Sequence, residues 1–119
     1  MQYMLMFWED PADAARRDGP EAPAYWGGWT AYVQAIASAG IMVSGNGLQL
    51  PHTATSLRLR EGRRLVQDGP YADTKEQLGG YFIIEVPTLD AALDWAARAP
   101  NAARGGVEVR PVMPPPPNG

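Results

Sequence analysis

The sequence has 119 residues, a formal net charge of −3 and no cysteine; this suits one compact domain and excludes disulfides, thiolate nucleophiles and cysteine-ligated zinc. No apolar run approaches the roughly 20 residues that cross a bilayer, and the opening MQYMLMFWED lacks the basic stretch of a signal peptide, so a cytoplasmic protein without membrane contact is expected. A pI near 5.0 leaves no basic surface to displace counterions from phosphates, which argues against nucleic acid.

Residues 2–8, QYMLMFW, form a short apolar run closed by Glu9-Asp10-Pro11 and read as a buried first strand. Residues 12–21 carry Arg16, Arg17, Asp18, Gly19 and Pro20 without apolar period, and a surface loop is expected. From Pro23 onward Trp26, Trp29, Val33 and Ile36 recur at three- and four-residue spacing. They mark the stripe of an amphipathic helix that Gly40 ends as a left-handed cap. Residues 41–43 predict a second strand, broken at Ser44-Gly45-Asn46-Gly47. Residues 55–60 alternate Leu57 and Leu59 with Ser56, Arg58 and Arg60, a half-buried strand; residues 63–67 return across Glu61-Gly62 as its hairpin partner. Residues 81–86, YFIIEV, predict a further strand. Thr88 then caps a second helix with Leu89, Ala92, Leu93, Ala96 and Ala97 as its apolar face, stopped at Ala99-Pro100. Val107, Val109 and Val112 mark the last strand, and residues 114–119 form a proline-rich tail on a domain of residues 1–113.

The order strand, helix, strand with hairpin, strand, helix, strand predicts an α+β fold, a ferredoxin-like α/β plait of the dimeric α+β barrel type: an antiparallel sheet with helices on one face. The other sheet face would be bare, with Phe7, Phe82 and Ile84 as candidates to reach it. Its simplest cover is a homodimer closing sheet on sheet.

The long polar segment Asp68 to Tyr81 joins two predicted strands and is the candidate site. Asp68, before Gly69-Pro70, has two readings: a turn cap accepting backbone N–H bonds, which is common for Asp-Gly-Pro, or a general base at a strand end. Lys75 is the single lysine beside nine arginines. It either pairs with Glu76 at the surface or holds an anion or developing oxyanion in a pocket. Tyr71 and Tyr81 are core aromatics or hydrogen-bond donors to a ligand; Trp29, with Trp26 and Tyr32, is packing or a stacking wall. Arg58 is a solvated strand residue or the partner of a ligand carboxylate. Gly79-Gly80 permits a bulge or close backbone approach. One histidine and scattered carboxylates give no recognisable metal-ligand spacing, so neither metal nor cofactor is expected.

Asp68-Gly69-Pro70, with Tyr71 where the motif has Phe, followed by Lys75-Glu76 and Gly79-Gly80-Tyr81, resembles the YCII-related family and its subgroup named for the DGPF motif. Met1 to Leu5, Ala39-Gly40, Leu48, Asp94-Trp95-Ala96 and Val109-Arg110-Pro111 extend the likeness to Val112. The resemblance implies a dimeric ferredoxin-like fold with a pocket near the dimer interface, and relatives that are small-molecule lyases or dehydrochlorinases using a histidine and an aspartate. Trp29 stands where those relatives carry the helical histidine, and His52 lies in an unmatched loop, so that mechanism does not transfer. The expected function is a small-molecule pocket at a homodimer interface. Asp68, Lys75 and Glu76 would be its chemical groups and Tyr71, Tyr81, Trp29 and Arg58 its ligand contacts, acting by proton transfer or elimination. The rival is a non-catalytic dimeric sensing or interaction module associated with sigma-factor regulation.

Overall fold

The computed structural model describes residues 1–71 and 74–117. In chain order come β1 (Gln2–Glu9), α1 (Pro11–Ala15), α2 (Ala22–Ser38), β2 (Met42–Gly47), a 3-10 turn (Pro51–Thr53), β3 (Thr55–Arg60), β4 (Arg63–Asp68), β5 (Gln77–Glu85), α3 (Leu89–Ala97) and β6 (Gly106–Pro111). Strands β2, β5, β1 and β6 lie side by side in that order, each antiparallel to its neighbour. With α2 and α3 as the two crossovers this is the ferredoxin-like α+β plait. The β3–β4 hairpin is inserted between its second and third strands and forms a two-stranded sheet of its own.

The period of β1 sets the two faces of the sheet. Tyr3, Leu5, Phe7 and Glu9 are buried, while Met4, Met6 and Trp8 between them are half-buried on the opposite face. Phe82 and Ile84 of β5 join the buried set, and Tyr81 and Ile83 the other. Phe7, Phe82 and Ile84 therefore belong to the core beneath the helices, not to the bare face for which they were candidates. The core closes around Phe7, whose ring meets Trp29 and Phe82 edge-on, each at 4.9 Å between centroids.

Four local expectations change. Residues 11–15 are helical because Asp10 accepts the Asp13 N–H at 2.7 Å as N-cap and Pro11 fits the first turn. The Ser44–Gly47 stretch is a strand paired with β5, not a break; at Gly45 a Cβ would run into the Phe82 ring, so the glycine marks a close approach. In α2 the buried residues are Tyr25, Tyr32 and Ile36. Trp26 and Val33, one position along, stay partly exposed. Finally, Leu57 and Leu59 of the hairpin and Leu89 and Leu93 of α3 are exposed, where apolar alternation had implied burial. Thr88 does cap α3, accepting the Ala91 N–H at 3.1 Å, and Gly40 follows α2 at φ +73°.

Candidate functional site

A cavity of about 790 Å³ opens between α2 and the β2–β5 side of the sheet. Phe7 and Phe82 rise from the sheet as its floor; Trp26, Trp29 and Val33 form the helical wall, and Leu48, Leu50 and His52 the outer rim. This explains the half-exposed α2 residues: Trp26 and Val33 face the hollow while Tyr25, Tyr32 and Ile36 anchor the helix. A smaller cavity of about 340 Å³ adjoins it across Glu9, Arg17 and Gly79 and is lined on its far side by Thr74, Lys75 and Leu78.

One end of the larger cavity is polar. The Glu9 carboxylate accepts the Tyr25 hydroxyl at 2.6 Å through Oε2 and Arg17 Nη2 at 2.8 Å through Oε1. Arg17 Nε donates to the Tyr25 oxygen at 3.1 Å, Nη1 to the Leu48 carbonyl at 2.6 Å, and Nη2 also to the Gly79 carbonyl at 3.2 Å. One guanidinium thus ties the segment between α1 and α2 to the ends of β1, β2 and β5. Glu9 can end its strand inside only because that partner is there: an isolated carboxylate among apolar side chains would be strongly disfavoured.

Burial first, and then the hydrogen bond to Glu9, pushes the Tyr25 phenol up to about 12. Burial alone would lower the Arg17 guanidinium, but its bonds to Glu9 and Tyr25 outweigh that and raise it. Tyr25 is therefore a neutral phenol whose one proton is committed to Glu9. Arg17 spends four N–H bonds on protein acceptors. Each carboxylate oxygen of Glu9 accepts one of these hydrogen bonds, which leaves acceptor capacity toward the hollow. His52 stands on the rim shared by both cavities, positioned by the 3-10 turn that starts at Pro51.

Of the residues picked from sequence, Trp29 lines the larger cavity and Lys75 the smaller. Glu76 is exposed just before β5, its carbonyl accepting the Thr74 hydroxyl at 2.6 Å. Asp68 is exposed at the end of β4, before Gly69 at φ +96°, whose N–H bonds the Ala54 carbonyl at 2.7 Å. Arg58 stacks on Tyr71 at 4.2 Å from the ring centroid, and the Tyr71 hydroxyl donates to the Leu57 carbonyl, so this pair braces the hairpin. Tyr81 lies on the opposite sheet face, accepting Asn46 Nδ2 at 3.1 Å. The set is thus distributed over the hairpin, the two cavities and the far face. Ala72 and Asp73 of the expected loop lie outside the described residues.

Glu9, Arg17 and Tyr25 escaped the sequence reading because they lie at intervals of eight with ordinary neighbours. A signal was present: Glu9 continues the buried parity of Tyr3, Leu5 and Phe7, and a carboxylate in a core register implies a buried cationic partner. Among the described residues no group of three or more His, Asp or Glu can hold a metal ion, and no helix is long and apolar enough to cross a membrane.

A family model described as YCII-related domain matches residues 1–115. An uncharacterised protein of Rhizobium meliloti (strain 1021) is 48% identical over 61 residues, covering 50% of this chain and 49% of that protein; the chain thus spans about half the length of this curated relative. Among solved structures, the 5-chloro-2-hydroxyhydroquinone dehydrochlorinase TftG of Burkholderia phenoliruptrix AC1100, in complex with 2,5-dihydroxybenzoquinone, superposes with a TM-score of 0.55. The two share 15% identity over 95% of this chain and 94% of that one, a likeness of fold.

Proposed function

The chain belongs to the YCII-related domain family, and from that premise we propose that it is a lyase-like enzyme that binds a small, flat, hydroxylated organic compound in the larger cavity. Within the family we assign it to the DGPF-type subgroup on Asp68-Gly69-Pro70-Tyr71. The observation that carries the functional reading is the union, in one hollow, of aromatic walls with a buried, hydrogen-bonded Glu9–Arg17–Tyr25 cluster. Ligand pockets combine apolar walls with a few fixed polar groups in this way. Trp26 and Trp29 stack on the ring, Glu9 accepts a ligand hydroxyl, and His52 moves a proton at the rim. Lys75 in the adjoining cavity attracts an anionic substituent or a departing anion. The protein works as a homodimer whose copies meet across the sheet face that the helices leave open.

Fold likeness gives a probe rather than a substrate. Titrating 2,5-dihydroxybenzoquinone into the protein should quench tryptophan fluorescence saturably. Trp29→Ala should weaken binding at least tenfold, and incubation with 5-chloro-2-hydroxyhydroquinone tests for chloride release. Saturable quenching without chloride release would keep the pocket and reassign its reaction; no saturable quenching by the quinone or by related hydroxylated rings contradicts the reading.

A further inference from the structure

The β3–β4 hairpin stands apart from the rest of the molecule. Cross-strand register places Leu57, Leu59 and Val66 together on one face, with Arg64, and Arg58, Arg60, Arg63 and Leu65 on the other. The hairpin is therefore an amphipathic ribbon, yet its apolar side is open: Leu57 is 48% exposed, Leu59 62% and Val66 63%. A two-stranded hairpin alone in water is marginal at best, and an uncovered apolar face makes it more so.

Whole-chain dimensions show the same excess. The radius of gyration is 16.3 Å, against about 13.5 Å expected for a compact chain of this length. The accessible surface is 7975 Å², against roughly 6,300 Å² expected for a folded monomer of this mass. The proline tail accounts for part of the surplus of roughly 1,700 Å². Even so, the surplus is about twice the ~800 Å² per partner that a stable interface of standard size buries. The molecule is only 18 Å thick against 51 and 47 Å across, so the hairpin runs outward and adds no third layer over its own sheet.

A second unpartnered apolar surface exists on the same chain. Met4, Met6, Trp8 and Ile83 share the sheet face away from the helices; Glu85, Glu108 and Arg110 border it, with Glu85 paired to the Met1 amino group at 3.2 Å and Glu108 to Arg110 at 3.0 Å. The hairpin carries four arginines against Glu61 and Asp68, a net of +2 in a chain of −3, which leaves −5 on the remainder. Each copy thus holds an apolar ribbon of net positive charge and, on a remainder of net negative charge, an open apolar sheet face.

We propose that the β3–β4 hairpin is an exchanged arm, its Leu57–Leu59–Val66 face packed on the Met4–Met6–Trp8–Ile83 sheet face of a second copy of this chain. Two-fold symmetry makes the exchange reciprocal, so one contact is made twice. This sharpens the homodimer reading above and is independent of what the cavity binds. The arm is rooted at the cavity: Thr53 lines it, and Ser56 and Ala54 hold Gly69 through bonds of 2.7 Å each. Docking the arm therefore also fixes the cavity rim.

Light scattering on the eluted protein should give twice the 12.9 kDa chain mass. Leu57→Glu with Val66→Glu should give a monomer that keeps its far-UV circular dichroism, with Trp8 emission shifted as its face is uncovered. Leu65→Glu, on the basic face of the same hairpin, should remain a dimer. Because the chain has no cysteine, a Leu57→Cys/Met6→Cys double variant reports the contact directly. Oxidation should yield a covalent dimer on a denaturing gel, with much less from Met6→Cys alone. A wild-type monomer overturns both the dimer and the arm. A dimer that survives Leu57→Glu/Val66→Glu, a cross-link within one chain, or equal linking by Met6→Cys alone overturns the arm and leaves sheet-on-sheet dimerisation standing.

Discussion

Glu9 answers to two demands at once: it must satisfy its own burial and still present an acceptor to the hollow. Arg17 and Tyr25 meet the first with bonds of 2.8 and 2.6 Å. Arg17→Met leaves a buried carboxylate without its cation, a loss of about 3–5 kcal/mol. The lower end applies, because the Arg17 side chain keeps 11% of its surface in water. Tyr25→Phe removes one donor to Glu9 and one acceptor for Arg17 and should cost about 1–3 kcal/mol. Chemical denaturation checks both, and equal losses for the two would contradict the charge argument. Tyr25 also predicts an alkaline signature. Its folded pKa, about 12, lies above the ordinary phenol value of 10.0; the folded state therefore holds the proton longer than the unfolded one. The resulting stabilisation is complete below pH 10 and is lost as pH rises toward 12. Tyr32, raised by burial, acts in the same direction. In a phenolate absorbance titration, Tyr25→Phe should remove one late-ionising phenol and flatten stability between pH 10 and 12. An unchanged late phase would show that another residue supplies it.

At the scale of elements, the site depends on an irregularity in β5. Phe7 pairs with Gly80 and Trp8 with Leu78, so Gly79 is the extra residue of a bulge opposite β1. A Cβ at Gly79 would collide with Glu9 Oε1 and press on Arg17 Nη2. Gly79→Ala should therefore displace the carboxylate, cost about 1–3 kcal/mol as overpacking does, and weaken ligand binding in step. A neutral effect on both would mean that Glu9 has room the structure does not show. The same glycines explain what was legible. The order of strands and helices, the Thr88 cap, Gly40 and the Glu61-Gly62 turn follow from local chemistry, and the sequence displays them. The strand character of Ser44–Gly47 does not, because it comes from pairing with β5 and from the Phe82 ring filling the space above Gly45. Helix α2 kept its boundaries but is turned by one position. Its tryptophans suggested the buried stripe, whereas the hydroxyl partners of Tyr25 and Tyr32, Glu9 and the Trp95 carbonyl, let those side chains go inside.

On the scale of the molecule, the cavity draws on β1, the α1–α2 segment, α2, residues 46–53 and β5. No linear motif spans such a set. Of the expected segment Asp68 to Tyr81, the first residues sit at the root of the hairpin, where Gly69 closes the turn and Tyr71 braces Arg58, while Lys75 lines the smaller cavity and Gly79 and Gly80 the larger. The hairpin root and the two cavities are thus separate places in the fold. Amide and indole NMR during titration with 2,5-dihydroxybenzoquinone separates these locations most directly. Saturable shifts are expected at the Trp26 and Trp29 indoles and at the Gly79 and Gly80 amides, lost together in Glu9→Gln. Shifts confined to Asp68, Gly69 and Tyr71, or none that saturate, would contradict it.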